Sequence, residues 1–278
     1  MKKILVPVDF SKHSEYAMEV AANLARKNDA EIYALHMMGI SDTLLSKSQS
    51  KKMFEGIYYM KLAEKSFKEL LDKDYLKGIR VTDTVYNYKN FDELNDVANE
   101  FKADLIVMGS HGSSGLSEVF VGSNTEKVVR NSDIPVLVVK YKKETFKIKK
   151  AVFACDFTQE NIVAYRKAMN LFNKMGSEVK LLYVNLPGQQ YRSSNEMEER
   201  VKKFISEAEN GNMDRMKDVD YYNDYEVEDG IFNYSNKTNV DAIALPTHGR
   251  RGLSHFFSGS ISEDLVNHSK IPVITFKL

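Results

Sequence analysis

The chain has 278 residues, of which 43% are hydrophobic and 28% charged, a composition typical of a folded protein that excludes wholesale disorder. Its 39 basic and 39 acidic residues cancel, which disfavours a nucleic-acid partner, and its one cysteine, Cys155, excludes an internal disulfide. No apolar run is long enough for a signal peptide or a membrane span, so we expect a cytoplasmic protein without a membrane partner.

The first half of the chain alternates short apolar runs with amphipathic segments, and it opens with an apolar run over 4–8. Such a run is typical of a parallel strand buried on both faces, and Ser11 is placed to cap the helix that follows. Further strands are predicted over 31–36, 80–88, 105–108 and 136–139, with helices over 52–71, 91–101 and 123–130. This alternation predicts an α/β domain whose parallel sheet binds ligands where the strand order reverses.

The second half of the chain repeats the first. Residues 4–11 resemble residues 151–158 at an offset of 147. Three later pairs share an offset of 137: Ser110-His111-Gly112 with Thr247-His248-Gly249, Gly122-Ser123 with Gly259-Ser260, and Ile134-Pro135-Val136 with Ile271-Pro272-Val273. Strands of the second copy are predicted near 151–155, 179–184, 219–222, 242–245 and 273–276. The sequence therefore predicts two copies of one domain, 1–142 and 143–278, joined by a lysine-rich solvated linker.

A glycine cluster follows the fourth strand of the first copy. Gly109 and Gly112 precede Gly122-Ser123, where a helix is predicted to begin. Glycines let the backbone approach a ligand closely and a helix start attracts anions, so the combination favours a di- or triphosphate. The spacing fits neither a Walker A loop nor a Gly-x-Gly-x-x-Gly fingerprint. The alternative is that Ser123 and Ser260 open Ser-x-x-Glu capping boxes and that the glycines serve turns.

Together these residues resemble the universal stress protein family. The spacing Gly109-x2-Gly112-x9-Gly122-Ser123 has the form of that family's ATP-binding signature. Further agreement lies in Pro7-Val8-Asp9-Phe10-Ser11, in Leu35-His36, in 104–109 and in 134–139. The resemblance implies two tandem Rossmann-like domains of the adenine nucleotide alpha hydrolase-like type. Each would have a five-stranded parallel sheet of order 3-2-1-4-5, with ATP, ADP or AMP at the switch point between strands one and four.

The resemblance also implies which residues of the first copy bind the nucleotide. They are Asp9, Met37, Met108, Gly109, Gly112, Gly122 and Ser123. Asp9 would hydrogen-bond the nucleoside end, the backbone of Met37 would meet the adenine, Met108 would line the pocket, and the glycines with Ser123 would hold the phosphates. The alternatives are a turn role for Asp9 and a core role for the Met37 side chain.

The second copy departs from this pattern, because Pro246 stands where the first copy has Gly109. Proline has no N–H to donate, so one phosphate contact should be lost and we expect a weaker site. The residues that would form it are Asp156, Val184, Gly249, Arg250, Gly259 and Ser260. Arg250 and Arg251 either neutralise phosphate charge or are solvated surface arginines.

No residue is predicted to be catalytic or to ligate a metal. No zinc-like spacing or Gly-x-Ser-x-Gly elbow is present, and no lysine or arginine lies between Gly109 and Gly122 to meet a γ-phosphate. At most we expect slow ATP hydrolysis or autophosphorylation, with Mg as a companion of the nucleotide. The first hypothesis is a stress-response regulatory protein that binds adenine nucleotide; the alternatives are a ligand-independent scaffold and a weak ATPase.

The fifth strands suggest a partner for each copy. Strands 136–139 and 273–276 are apolar yet should lie at sheet edges, and an exposed apolar edge invites pairing. The resemblance implies dimerisation through this strand, so we expect the two copies to pair as an intramolecular pseudo-dimer. A homodimer and an unidentified protein partner are further expectations.

Overall fold

A computed structural model describes residues 1–38, 49–87, 91–111, 122–247, 266 and 268–278. The chain divides into two compact units, one formed mainly by 1–146 and the other mainly by 147–278. Within the described ranges, every helix is too short or too polar to cross a membrane.

The first repeat is an α/β domain with the predicted strand order. Its elements are β1 (Lys3–Pro7), α1 (Lys12–Asn28), β2 (Glu31–Met38), α2 (Gln49–Leu71), β3 (Val81–Asn87), α3 (Leu94–Glu100), β4 (Leu105–Gly109), α4 (Ser123–Asn131) and β5 (Val136–Val139). The strands are arranged in the order β3-β2-β1-β4-β5. The chain thus adds β2 and β3 on one side of β1 and then returns to add β4 on the other, which places the switch point between β1 and β4.

The buried strands β1 and β4 form the centre of this sheet. Strand β1 pairs in parallel with β2 and with β4, with Leu5 opposite Ile106. Ile4, Leu5 and Val6 are completely buried, as expected for a strand covered by helices on both faces. Helix α1 begins after Ser11, whose hydroxyl accepts a hydrogen bond from the Ser14 amide at 3.3 Å. The predicted cap is therefore present.

Helix α2 extends over the predicted segment, but only part of its apolar surface faces the sheet. Ala63 and Phe67 are buried, whereas Ile57, Tyr58 and Leu62 are 47%, 65% and 48% exposed. The apolar residues are spread around the helix, and only the stripe at i, i+4 and i+7 from Ala63 packs inward. The apolar content of α2 therefore overstates how much of it is core.

The second repeat has the same architecture. Its elements are β6 (Lys150–Ala154), α5 (Ile162–Met175), β7 (Glu178–Asn185), α6 (Ser194–Ala208), β8 (Val219–Asn223), α7 (Val227–Thr238), β9 (Ala242–Thr247) and β10 (Val273–Lys277). The strands are arranged in the order β10-β9-β6-β7-β8, which is again 3-2-1-4-5 when numbered from the start of the repeat. Both predicted Rossmann-like domains are confirmed.

The repetition extends to individual hydrogen bonds. The carboxylate of Asp104 accepts from the amides of Lys2 and Lys3, at 2.6 and 3.1 Å. The matching Asp241 accepts from the amides of Lys149 and Lys150, at 2.7 and 3.0 Å. In each repeat the residue before the fourth strand therefore ties down the start of the first strand, which sets the relative position of the two strands that border the switch point.

Lys140, directly after β5, carries a testable pH dependence. Burial lowers the pKa of this half-buried lysine from 10.5 to about 8. Between those two values the unfolded chain binds a proton that the folded chain has released, so the Lys140 contribution to stability rises with pH. We expect Lys140→Met to be more stable than the natural protein at pH 7, and the difference to shrink as the pH increases to 9.5. Urea unfolding at both pH values tests this; a difference independent of pH would contradict it.

Candidate functional site

The carboxyl ends of β1, β2 and β4 meet at one edge of the first sheet. Pro7 lies opposite Leu35 in the β1–β2 ladder, and the Val8 amide continues it by donating to the Leu35 carbonyl at 2.8 Å. On the other side of β1, the β4 register runs from Leu105 opposite Ile4. Asp9 after β1 and Ser110 after β4 therefore border the switch point, where α/β sheets bind ligands.

Asp9 lies in the loop from β1 to α1. Its Oδ1 accepts a hydrogen bond from the Ser11 amide at 3.1 Å, and Phe10 between them has a left-handed φ of 62°. This is the turn role that the sequence left open for Asp9. The residue is partly exposed, so ligand access to its side chain is not blocked by burial. The turn fixes the direction of that carboxylate.

An aromatic cluster that sequence reasoning missed lies where β1 and β2 end. The Phe10 ring lies 4.8 Å from the His36 ring and 5.1 Å from the Phe67 ring. His36 Nδ1 lies 2.7 Å from the carbonyl oxygen of Val8, so Nδ1 carries the proton and donates it. The left-handed turn brings Phe10 over the sheet, and only the spacing of Phe10 and His36 after their strands could have indicated the contact.

Met37 and Met108 are core side chains. They are 9% and 4% exposed, respectively, as the core alternative for Met37 anticipated. Met37 can therefore offer its backbone at the end of β2, while the Met108 side chain packs beneath the edge. Both side chains are buried and uncharged, so neither brings a charge to this end of the sheet.

Gly109 is required by packing. A Cβ atom at this position would lie 2.6 Å from the His13 backbone carbon and 2.7 Å from the His13 carbonyl oxygen. The first turn of α1 therefore lies directly against the end of β4, and any side chain at Gly109 would displace it. The sequence attributed this glycine to a phosphate contact, but the described structure gives it a reason that needs no ligand.

Helix α4 is anchored to the end of β4 at its first turn. Thr125 Oγ1 donates to the Gly109 carbonyl at 2.9 Å, and the Gly122 amide donates to the Ser110 carbonyl at 2.7 Å. The Glu126 amide donates to the Gly122 carbonyl at 3.1 Å, which makes Gly122 the N-cap. The capping-box alternative with Ser123 as N-cap is therefore wrong. Ser123 is exposed in the first turn of α4. Backbone N–H groups in a first turn have no acceptor within the helix.

Several predicted site residues lie outside the described residues. They are Gly112 in the first repeat and Gly249, Arg250, Gly259 and Ser260 in the second. Among the predicted residues that are described in the first repeat, the strand ends bring Asp9 and Gly109 to one edge, and Thr125 holds Gly122 and Ser123 there.

Asp156 in the second repeat is used internally. Its Oδ1 accepts from the Thr158 amide at 3.1 Å, the Thr158 hydroxyl at 2.8 Å and Asn161 Nδ2 at 2.7 Å. The residue is only 8% exposed. Asn161 stands where the first repeat has Ser14, whose hydroxyl instead donates to the Ser11 carbonyl at 3.0 Å. Asn161 and the Thr158 hydroxyl thus both donate to Asp156, whereas the matching Ser14 and Ser11 hydroxyls bond within the first turn of α1.

The helix that follows Asp156 also starts later. Residues 159–161 form a 3-10 turn and α5 begins at Ile162, six residues after Asp156, whereas α1 begins three residues after Asp9. Pro246 in β9 is buried at the place of Gly109. Val184, predicted to border the second site, is 7% exposed, and a Cβ at Gly230 of α7 would lie 2.5 Å from its Cγ1. Asp156, Pro246 and Val184 are therefore all buried at the described part of this edge.

Few ionisable groups near these edges are poised for chemistry. Cys155 is fully buried, and desolvation raises the pKa of its thiol well above the ordinary value, which keeps it in the unreactive form. Over the described ranges, no group of three or more His, Cys, Asp and Glu residues could hold a metal ion.

Comparison with known proteins agrees with the duplicated fold. The sequence model of the Universal stress protein family matches residues 1–140 and again residues 147–277. The chain belongs to the universal stress protein family. Universal stress protein MJ0531 of Methanocaldococcus jannaschii is 31% identical over 143 residues, which cover 51% of this chain and 84% of that protein. Universal stress protein MJ0577 of the same organism is 34% identical over 155 residues, covering 51% and 96%.

Solved structures of tandem size match the whole chain of this universal stress protein. A universal stress protein from Archaeoglobus fulgidus has a TM-score of 0.69 at 21% identity, covering 99% of this chain and 96% of that one. A putative universal stress protein from Pseudomonas aeruginosa has a TM-score of 0.63 at 14% identity, covering 100% and 93%. At these identities the likeness shows a shared fold.

Proposed function

We propose that this universal stress protein is a regulatory protein that binds an adenine nucleotide at the carboxyl edge between β1 and β4 of its first repeat. The observation that carries the proposal is the difference between Asp9 and Asp156. Asp9 is partly exposed and its Oδ1 accepts from the Ser11 amide, whereas Asp156 is buried and its Oδ1 accepts from three donors of its own loop. Of these two carboxylates, the one in the first repeat is therefore the more accessible to a ligand.

The parts of this edge match the parts of a nucleotide. The Asp9 carboxylate accepts hydrogen bonds, which suits ribose hydroxyls or a base amino group. The first turn of α4, which Thr125 fastens to Gly109, presents N–H groups and the positive end of a helix dipole, which suit phosphate oxygens. The exposed Ser123 hydroxyl adds a further donor. ATP, ADP and AMP share this chemistry, and Mg would accompany the phosphates.

We propose that the second repeat acts as a structural unit. Pro246 removes a backbone donor, the carboxylate of Asp156 is occupied, and Gly230 lets α7 pack against Val184. In this proposal the first repeat binds the nucleotide and the second repeat has a structural role. The regulatory role itself rests on family membership, and occupancy of the first site is what a partner would sense.

Thermal unfolding with added ligand tests the proposed function. A ligand that binds only the folded state stabilises it by about 2.7 kcal/mol at a concentration 100 times its Kd. We expect ATP, ADP and AMP to raise the melting temperature with and without Mg, while GTP at equal concentration has a smaller effect. Equal shifts with ATP and GTP would contradict adenine selectivity, and no shift at millimolar concentrations would contradict nucleotide binding.

A further inference from the structure

His111 is a buried histidine at the end of β4 with an unused ring nitrogen. The residue is 8% exposed, and its Nδ1 lies 2.9 Å from the hydroxyl oxygen of Ser110. Nε2 is buried and has no hydrogen-bond partner in the structure described for this chain. The His111 ring centroid lies 5.1 Å from that of His13 in the first turn of α1. Buried polar groups are nearly always paired, so this nitrogen requires an explanation.

The bond to Ser110 indicates which nitrogen carries the proton. Ser110 is completely buried, and its hydroxyl contacts His111 Nδ1. In the tautomer in which the Ser110 hydroxyl donates to Nδ1, a neutral His111 ring carries its proton on Nε2. In that tautomer the unused group of His111 is an N–H donor.

This donor lies where two helices begin. Gly109, two residues before His111, packs against the His13 backbone in the first turn of α1. The carbonyls of Gly109 and Ser110 accept from Thr125 and Gly122 at the start of α4. His111 follows directly from residues that both helix starts contact. The positive ends of two helices next to a buried N–H favour an anionic acceptor over a neutral one.

We propose that His111 Nε2–H donates a hydrogen bond to a phosphate oxygen of the bound ligand, and so selects phosphorylated adenine ligands over adenosine. The inference rests on the proposed function, since it concerns the same edge, and it assigns to a side chain part of the phosphate recognition otherwise given to glycines. His111 is a specificity residue here, and no bond to it is made or broken.

Calorimetric binding of adenosine, ADP and pyrophosphate tests the proposal. His111→Phe keeps the ring and removes the donor, whereas His111→Gln keeps a donor on a flexible chain. His268→Gln changes an exposed histidine and is the matched control. We expect His111→Phe to weaken ADP and pyrophosphate binding about tenfold or more, His111→Gln to weaken it less, and adenosine affinity to stay unchanged. Circular dichroism confirms that each variant is folded before titration.

The outcomes separate the inference from the proposed function. ADP binding that is equally tight in the natural protein and in folded His111→Phe would overturn the inference and leave nucleotide binding intact. Adenosine affinity lost together with ADP affinity would also overturn it, because the effect would not depend on phosphate. If the natural protein bound neither adenosine nor ADP, the proposed function would fail. Pyrophosphate binding that depends on His111 would then still support the phosphate contact, and its absence would overturn both.

Discussion

Asp156→Ala is expected to destabilise the protein by about 1–3 kcal/mol, because three donors of one loop, of which that of Asn161 is fully buried, lose their shared acceptor. Those donors are the amide and hydroxyl of Thr158 and the side-chain amide of Asn161. The substitution should leave the affinity for ADP nearly unchanged, since we place the ligand in the first repeat.

Asp9→Ala is expected to weaken ADP binding more than it lowers the stability of the fold. It removes the part-buried turn bond to Ser11, which is typically worth about 0.5–1.5 kcal/mol, so the free energy of unfolding should fall by less than in Asp156→Ala. The affinity for ADP should fall about tenfold or more, because a charged acceptor at the ligand is lost. Urea unfolding and calorimetry on the same two variants measure both effects.

Asparagine variants provide the control for this pair. Asp156→Asn keeps Oδ1 as an acceptor and should retain most of the stability that Asp156→Ala loses. Equal losses of ADP affinity in Asp9→Ala and Asp156→Ala would show that both repeats bind nucleotide, and the proposed division between them would be wrong.

The second large effect is expected at Gly109. Gly109→Ala should destabilise the protein by about 1–3 kcal/mol, because its methyl group would overlap backbone atoms of His13 that cannot move without shifting α1. Adenine nucleotide binding should weaken with it, since α1 begins beside Asp9 and α4 is fastened to the Gly109 carbonyl. Unfolding free energies and ADP titrations give the two measurements.

Gly56 in α2 offers a matched control, because nothing lies within 4 Å of a Cβ built there. Gly56→Ala should stabilise the protein by up to about 1 kcal/mol, as alanine is the better helix former. If Gly109→Ala were as harmless as Gly56→Ala, the close approach of α1 to β4 would not be a constraint on the fold.

Most strand positions could be predicted from the sequence, because a parallel strand buried on both faces is an uninterrupted apolar run. Residues 4–8, 105–108 and 136–139 fall within a residue or two of β1, β4 and β5. Burial was harder to predict for α2, where exposed Ile57, Tyr58 and Leu62 look the same in sequence as buried Phe67. Local composition does not reveal which side of a helix meets the sheet.

The topology places Asp9 and Gly109 at the ends of neighbouring parallel strands, at the same edge of the first sheet. That this edge binds a nucleotide stays a prediction. Two contacts could not be predicted from residue spacing, because they depend on the folded structure. They are the packing of the His13 backbone against Gly109 and the hydrogen bond from Asn161 to Asp156. The pairing of strands 136–139 and 273–276 and the domain boundary at 142 stay predictions.

One binding isotherm decides whether the first repeat alone holds nucleotide. Calorimetric titration of the full chain with ADP should fit a single class of sites at about one ADP per chain, and Asp9→Ala should weaken that class about tenfold or more while Asp156→Asn leaves it unchanged. Two equivalent sites per chain, or heat from ADP that neither variant alters, would contradict a nucleotide site built around Asp9.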